Sequence, residues 1–233
     1  GAAVAPGAST AELDLLAHDT IRAHGATSNF LGYGAGTGVP GFPGVICTSV
    51  NDEVVHGTPG RRTLREGDIV SIDGGAIVRG WHGDAAITVA VGDVPAEVAA
   101  LLRVTEAAMW QGIAAARPGG HVGDIGRAVE AYVRSQDDET RHWGIVEGYT
   151  GHGIGTQMHQ PPDVPNVGSR RRGPRLVPGM ALAIEPMLTL GSPSTRVLGD
   201  AWTVVTTDGS RSAHFEHTVA ITDGDPQVLT VLD

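Results

Sequence analysis

The sequence predicts an α+β protein in which helices pack on one side of a curved antiparallel sheet. Three observations carry this expectation. Three segments show apolar residues at helical spacing, at least seven short β-branched runs are joined by brief connections, and the chain repeats itself at a constant offset. Short connections favour antiparallel pairing, and a sheet with one covered face gives this layer arrangement.

The helices follow in order. Ser9 and Glu12 form a capping-box pattern, Leu13, Leu16, Ala17, Thr20 and Ile21 keep helical spacing, and Gly25 ends the run. Pro95 opens a second helix with a stripe of Val98, Leu101, Leu102, Thr105, Met109 and Ile113, which stops before Pro118. Val122, Ile125, Val129, Tyr132 and Val133 mark the third. These stripes are core. Strand windows read at 45–50, 68–73, 76–81, 85–91, 180–190, 201–207 and 214–222, most bounded by Gly, Pro or Asp.

The repeat places Pro6-Gly7, Glu12-Leu13, Ile21-Arg22, Leu64, Gly67 and Asp73 each 112 positions before Pro118-Gly119, Asp124-Ile125, Val133-Arg134, Leu176, Gly179 and Glu185. A fixed offset over several elements points to duplication of one supersecondary unit. The expectation is one domain over 1–233, with pseudo-symmetric halves of about 1–94 and 95–233. The second half has a helix before its Pro118-Gly119; the first has only Gly1–Ala5 before Pro6-Gly7. The template therefore predicts a missing first helix. Either the sequence is trimmed or another surface covers the gap.

Composition narrows the function. A hydrophobic fraction of 41% over 233 residues fits a globule with a real core. No apolar run approaches the ~20 residues of a membrane helix, and no signal peptide is visible. A net charge of −10 argues against specific nucleic-acid binding, and all 16 basic residues are arginine. The single Cys47 excludes an internal disulfide and fits a reducing, cytoplasmic setting.

Five residues stand out chemically. Asp73 ends an alternating apolar run, where an unpaired carboxylate is costly. Asp84 lies eleven residues on, with Gly80 between, so a hairpin would bring both acids onto neighbouring strands. Glu185 interrupts an apolar run before Pro186, and alternation puts His214, Glu216 and Thr218 on one face. His152 sits in a predicted loop with glycine on both sides. Singly, each has a bland reading: a turn acid, a structural glutamate, an exposed histidine. His56 and His159 are equally ambiguous alone. Together, four carboxylates and an imidazole form an oxygen-rich set suited to two divalent cations rather than a tetrahedral structural zinc. Competing motifs fail. There is no His-Glu-x-x-His, no paired Cys-x-x-Cys and no Gly-x-Ser-x-Gly elbow. Gly36-Thr37-Gly38-Val39-Pro40-Gly41 matches a dinucleotide loop by letter, but Pro40 and Pro43 forbid the helix that must follow.

Taken in order, Ser49-Val50-Asn51-Asp52-Glu53-Val54-Val55-His56-Gly57, Asp68–Asp73, His82-Gly83-Asp84, Gly151-His152-Gly153-Ile154-Gly155, Ile184-Glu185-Pro186-Met187 and Phe215-Glu216-His217-Thr218 resemble the type I bacterial methionine aminopeptidases of the pita-bread metallopeptidase family. The resemblance runs from about Pro6 to the C-terminus. It implies two divalent ions, Mn, Fe, Co or Zn. Asp73 would chelate one, Asp84 and Glu216 would bridge both, and His152 and Glu185 would complete the other. It implies a bridging water attacking the first peptide bond and a free α-amine held at the metals. His159 would stabilise the oxyanion, His56 would contact the scissile amide, and Glu185 would also handle protons. Tyr33, Phe42, Cys47, Met158 and Trp202 would line a pocket whose soft walls suit a thioether. The implied substrate is a peptide or nascent chain with a free N-terminal methionine, acted on by a monomer.

Departures mark where this chain differs. His159-Gln160-Pro161-Pro162 stands where the family has His-Glu-x-Pro, and residues 34–40 look like an insertion beside the pocket. The tract Arg170-Arg171-Arg172-Gly173-Pro174-Arg175 reads first as a solvated loop, with a transient ribosome contact as the other reading. Three rivals remain: an Xaa-Pro peptidase of the same fold, a creatinase-like hydrolase and a non-catalytic binding protein on that scaffold. The rivals without metal would not keep all five ligands.

Overall fold

A computed structural model describes residues 1–36 and 38–231. The helices are α1 (Thr10–Ala23), α2 (Ala96–Ala115) and α3 (Val122–Ser135). The strands of the first half are β1 (Thr27–Ser28), β2 (Cys47–Val50), β3 (Glu53–Val55), β4 (Ile69–Val78) and β5 (Trp81–Ala90). After α3 come β6 (Gly144–Ile145), β7 (Gly151–Gly153), β8 (Gln160–Val164), β9 (Ala181–Ile184) and β10 (Met187–Thr189). The chain then adds β11 (Thr195–Val197), β12 (Val204–Thr206), β13 (Ser212–His214), β14 (Glu216–Ala220) and β15 (Gln227–Val228).

The main sheet is antiparallel and runs β1-β4-β5-β14-β9-β7-β8, with β2 on β4 and β15 on β14. Its centre is the β5–β14 pairing, where the two halves meet. Two small sheets, β13-β10-β6 and β11-β12-β3, flank it. Val98, Leu101, Met109 and Ile113 of α2 join Ile125, Val129 and Val133 of α3 in a buried core with Leu182, Ile184 and Val219. Leu13 of α1 packs with Val45, Ile46, Val50 and Val70 in a smaller one.

Local features recur at the 112-residue offset. The α1 and α3 helices begin and end 112 residues apart; Ser9 and Glu12 close a full capping box on α1, and on α3 the His121 backbone N–H donates to the Asp124 carboxylate at 2.8 Å. Gly7 N–H donates to Leu64 O at 2.9 Å, as Gly119 N–H does to Leu176 O at 2.9 Å. Between β5 and β14 the offset becomes 130. The Thr218 hydroxyl accepts from Asp84 N–H at 2.9 Å and donates to Asp84 O at 2.7 Å. The Thr88 hydroxyl does the same for the backbone of His214, at 2.8 Å each way. The α2 helix lies along α3, and among the described residues α1 has no such companion. A cavity of about 420 Å³ beside α1 is lined by Val4, Leu13, Leu16, Ile21, Ile46 and Ile72.

Several strand expectations change. The windows 68–73, 76–81 and 85–91 are two ten-residue strands, β4 and β5, paired from Ile69↔Ala90 to Val78↔Trp81. Their turn, Arg79-Gly80, takes φ of 51° and 81°, the double positive φ of a tight hairpin. The window 180–190 breaks after Ile184, because Pro186 has no N–H for a ladder. The window 214–222 breaks at Phe215, between a small-sheet strand and the main sheet. The window 201–207 shrinks to Val204–Thr206. His152, expected in a loop, lies in β7 between β8 and β9. The reason is steric: a Cβ at Gly151 would collide with Ala183 O, and one at Gly153 with Pro161 O, so only glycine admits the neighbouring strands this closely.

Candidate metal centre

The hairpin sets the first two acids. Asp73 pairs with Ala86, and Asp84 lies two residues before Ala86 on the same strand. Opposite residues share a face, as do residues two apart, so both carboxylates project to one side on the diagonal. The second half supplies the rest. Glu185 follows the last residue of β9, Glu216 opens β14, and His152 sits at the middle of β7 beside Ala183. His152 Nε2 is 3.6 Å from Glu185 Oε1. Its Nδ1 is 3.0 Å from Gly153 O, which places the proton there and leaves Nε2 for a ligand bond.

Ligand atoms of Asp84, His152 and Glu216 lie within 4.8 Å of one another, as do those of Glu185, His214 and Glu216. Asp84 and Glu216 are 4% and 2% exposed. Asp73 Oδ1 and Glu216 Oε1 are buried without a hydrogen-bond partner. Burial first, and then the neighbouring carboxylates, push Asp73 and Glu216 well above the ordinary carboxylate range. Burial and Glu185 raise Asp84 to about 8. Acids crowded this way hold protons unless a cation replaces them. Orphaned oxygens, mutual repulsion and one oriented imidazole all fit divalent cations in this cluster.

These side chains open into a cavity of about 270 Å³. Every site residue expected from the sequence lines it: Asp73, Asp84, His152, Glu185, Glu216, His56, His159, Tyr33, Phe42, Cys47, Met158 and Trp202. Phe42 meets the Trp202 ring edge-on at 5.4 Å, and the Trp202 indole N–H donates to Pro40 O at 2.9 Å. Burial, Asp73 and Asp84 push the Cys47 thiol up, so it stays a neutral, apolar wall. Thr37, within the expected insertion, lies outside the described residues.

Two further histidines face the centre. The His159 ring stands edge-on to His152 at 4.3 Å, and its Nδ1 is 2.8 Å from the Tyr33 hydroxyl. Burial and then His152 lower its pKa to about 4, so it is neutral near pH 7. Burial also lowers His56, which holds a left-handed backbone, φ 57°, between Tyr149 and Trp202. The sequence reading gave no role to Phe30, Tyr149 and Met187, which also line the cavity, or to His214 behind it. For His214 the signal was present, since alternation had already put it on the face of Glu216.

A doubly helical-stranded pita-bread frame with buried acids and histidines at its dyad defines a metallohydrolase scaffold. Residues 2–223 match the model of metallopeptidase family M24, and the chain belongs to that family. It is 51% identical over 232 residues to methionine aminopeptidase 1 of Mycobacterium tuberculosis, covering 99% of this chain and 85% of that protein. The crystal structure of methionine aminopeptidase from Rickettsia prowazekii superposes with a TM-score of 0.91 at 40% identity, covering 98% of this chain and 88% of that one. The Xaa-Pro dipeptidase from Bacillus anthracis shares the fold, with a TM-score of 0.74 at 21% identity, but this chain spans only 55% of it.

Proposed function

We propose that this chain removes the N-terminal methionine from peptides and nascent proteins by hydrolysing their first peptide bond. The observation that carries this reading is one cavity holding both the buried acid–histidine cluster and the walls Phe42, Cys47, Met158 and Trp202. Identity of 40–51% to methionine aminopeptidases over nearly the whole chain supports it. Asp73, Asp84, His152, Glu185 and Glu216 would hold two divalent ions. Oxygen and imidazole donors admit Mn, Fe, Co or Zn. When bound, such ions supply a Lewis acid and a water of lowered pKa.

The chain's own residues do the rest. The apolar pocket takes the thioether side chain and excludes water from it. His56 contacts the scissile amide. Neutral His159 donates to the developing oxyanion, and the Tyr33 hydroxyl at its Nδ1 sets which nitrogen carries the proton. Glu185 carries the proton from the attacking water to the leaving amine. The two halves act as one catalytic domain, in the cytoplasm. A monomer suffices, because the cavity is complete within one chain.

The test is turnover of Met-Ala-Ser beside Ala-Pro peptides by chelated protein with and without added Mn²⁺ or Co²⁺. Metal-dependent cleavage of Met-Ala-Ser is the expected result. Faster cleavage of an Xaa-Pro bond lacking methionine assigns the prolidase-like specificity instead. Full activity in verified metal-free protein ends the metal reading.

A further inference from the structure

We infer that His214 is a sixth ligand side chain at this centre, forming with Glu185 and Glu216 a tripod that takes a divalent cation. The inference rests on the metal reading above and extends it to a residue outside the expected set. His214 is 1% exposed, and its Nε2 is a buried nitrogen with no hydrogen-bond partner. That atom lies 3.3 Å from Glu185 Oε2, yet does not meet hydrogen-bond geometry with it. Two donors that sit close without pointing at each other are arranged as neighbouring ligands of one ion. The same holds for His152 Nε2 and Glu185 Oε1 at 3.6 Å. Glu185 is thus flanked by two imidazoles, one on each oxygen. Glu216, with its own unpartnered Oε1, closes the triangle within 4.8 Å.

The dyad makes the same assignment independently. His214 and Asp84 are 130 residues apart and are held by reciprocal hydroxyl clamps, Thr88 on His214 and Thr218 on Asp84. His214 therefore stands where the second half repeats the position of a proposed ligand. The clamp contacts only its main chain, so the imidazole is left to the site. A neutral imidazole adds no charge to the four carboxylates and favours borderline cations over Mg²⁺ or Ca²⁺.

Co²⁺ titration of the intact protein tests this, read by proton NMR and by metal analysis. Each imidazole bound to Co²⁺ gives one far-shifted, D₂O-exchangeable ring N–H signal. Wild type is expected to show two, His152→Gln one and His214→Gln one. His214→Gln keeps an N–H donor but lacks the ring nitrogen, so the weaker Co²⁺ should bind roughly 10- to 100-fold less tightly, a scale typical of disturbed metal sites. A single signal in wild type, with unchanged affinity in His214→Gln, overturns the inference and leaves His214 a hydrogen-bonding neighbour. The wild-type count needs no variant to fold. Failure of wild type to bind any Co²⁺ sinks the metal reading itself and this inference with it.

Discussion

The β4–β5 hairpin and its counterpart, β9 with β14, use one backbone plan for different chemistry. In the first half, Asp73 pairs with Ala86 across the ladder. The corresponding positions in the second half are Glu185 and Glu216, so a methyl group on one side faces a carboxylate on the other. Asp84 corresponds to His214 in the same way. The first half makes its turn in two residues, while the second is cut at Pro186 and Phe215, leaving Glu185 outside any strand and His214 at the end of β13 opposite Met187. The lesson is that a shared backbone plan fixes where the cluster's side chains can stand, and side-chain exchange makes the two ends of the cluster unequal. One end is rich in short acids, the other in longer acids and imidazole.

The largest expected effect comes from removing the second half's extra carboxylate. Glu216→Ala should lose bound metal and peptidase rate together, and Asp84→Ala, the other proposed bridging carboxylate, should match it. Metal content measured beside kcat checks both. Retention of metal by either variant would break the symmetric bridging assignment. Next, His159→Ala should lower kcat by ~10²–10³, the scale for one oxyanion donor, with metal content near wild type. Metal loss as complete as in Glu216→Ala would move His159 into the ligand set.

A packing change should cost less. Gly153→Ala drives a methyl group into the Pro161 and Gln160 carbonyls and should destabilise by ~1–3 kcal/mol, read by chemical denaturation. Gly148→Ala has open space but a positive φ, 82°, so any cost there reports backbone strain alone.

The smallest effect is a pH dependence of the chelated protein. Asp73, Asp84 and Glu216 have raised folded pKa values, so the native state binds more protons than the unfolded chain from about pH 4 upward. Metal-free stability should then fall as pH rises toward the value of about 8 for Asp84. His159 has the opposite sign: its contribution is lost as pH falls from its ordinary 6.5 toward about 4. Three raised acids outweigh one lowered base, so Tm in chelator should be higher near pH 5 than near pH 8. Saturating divalent cation should flatten or reverse that slope. An unchanged slope after adding metal would show that the acids are not where the cation binds.

Much of this was legible in the sequence because local periodicity carried it. The α1 helix keeps its capping box, and the hairpin between Asp73 and Asp84 follows from the alternation around Gly80. The placement of His152 was not legible. Gly151 and Gly153 look like loop residues until the Ala183 and Pro161 carbonyls occupy the space beside them. The short strands β3 and β6 are likewise held by partners distant in sequence. His214 shows the same limit in the site. Its face could be read from alternation, but its approach to Glu185 depends on the break at Phe215.

The paired threonine clamps bear on how the molecule comes apart. Thr218, from the second half, grips the segment carrying Asp84, and Thr88, from the first, grips the segment carrying His214. Each half thus lends the other the rigidity of its own donor. Fragments severed near Val94 would each carry part of the cluster and neither would hold it in shape. Unfolding should accordingly be a single cooperative event, and a divalent cation should act as a chemical dimeriser that reunites the separated pieces.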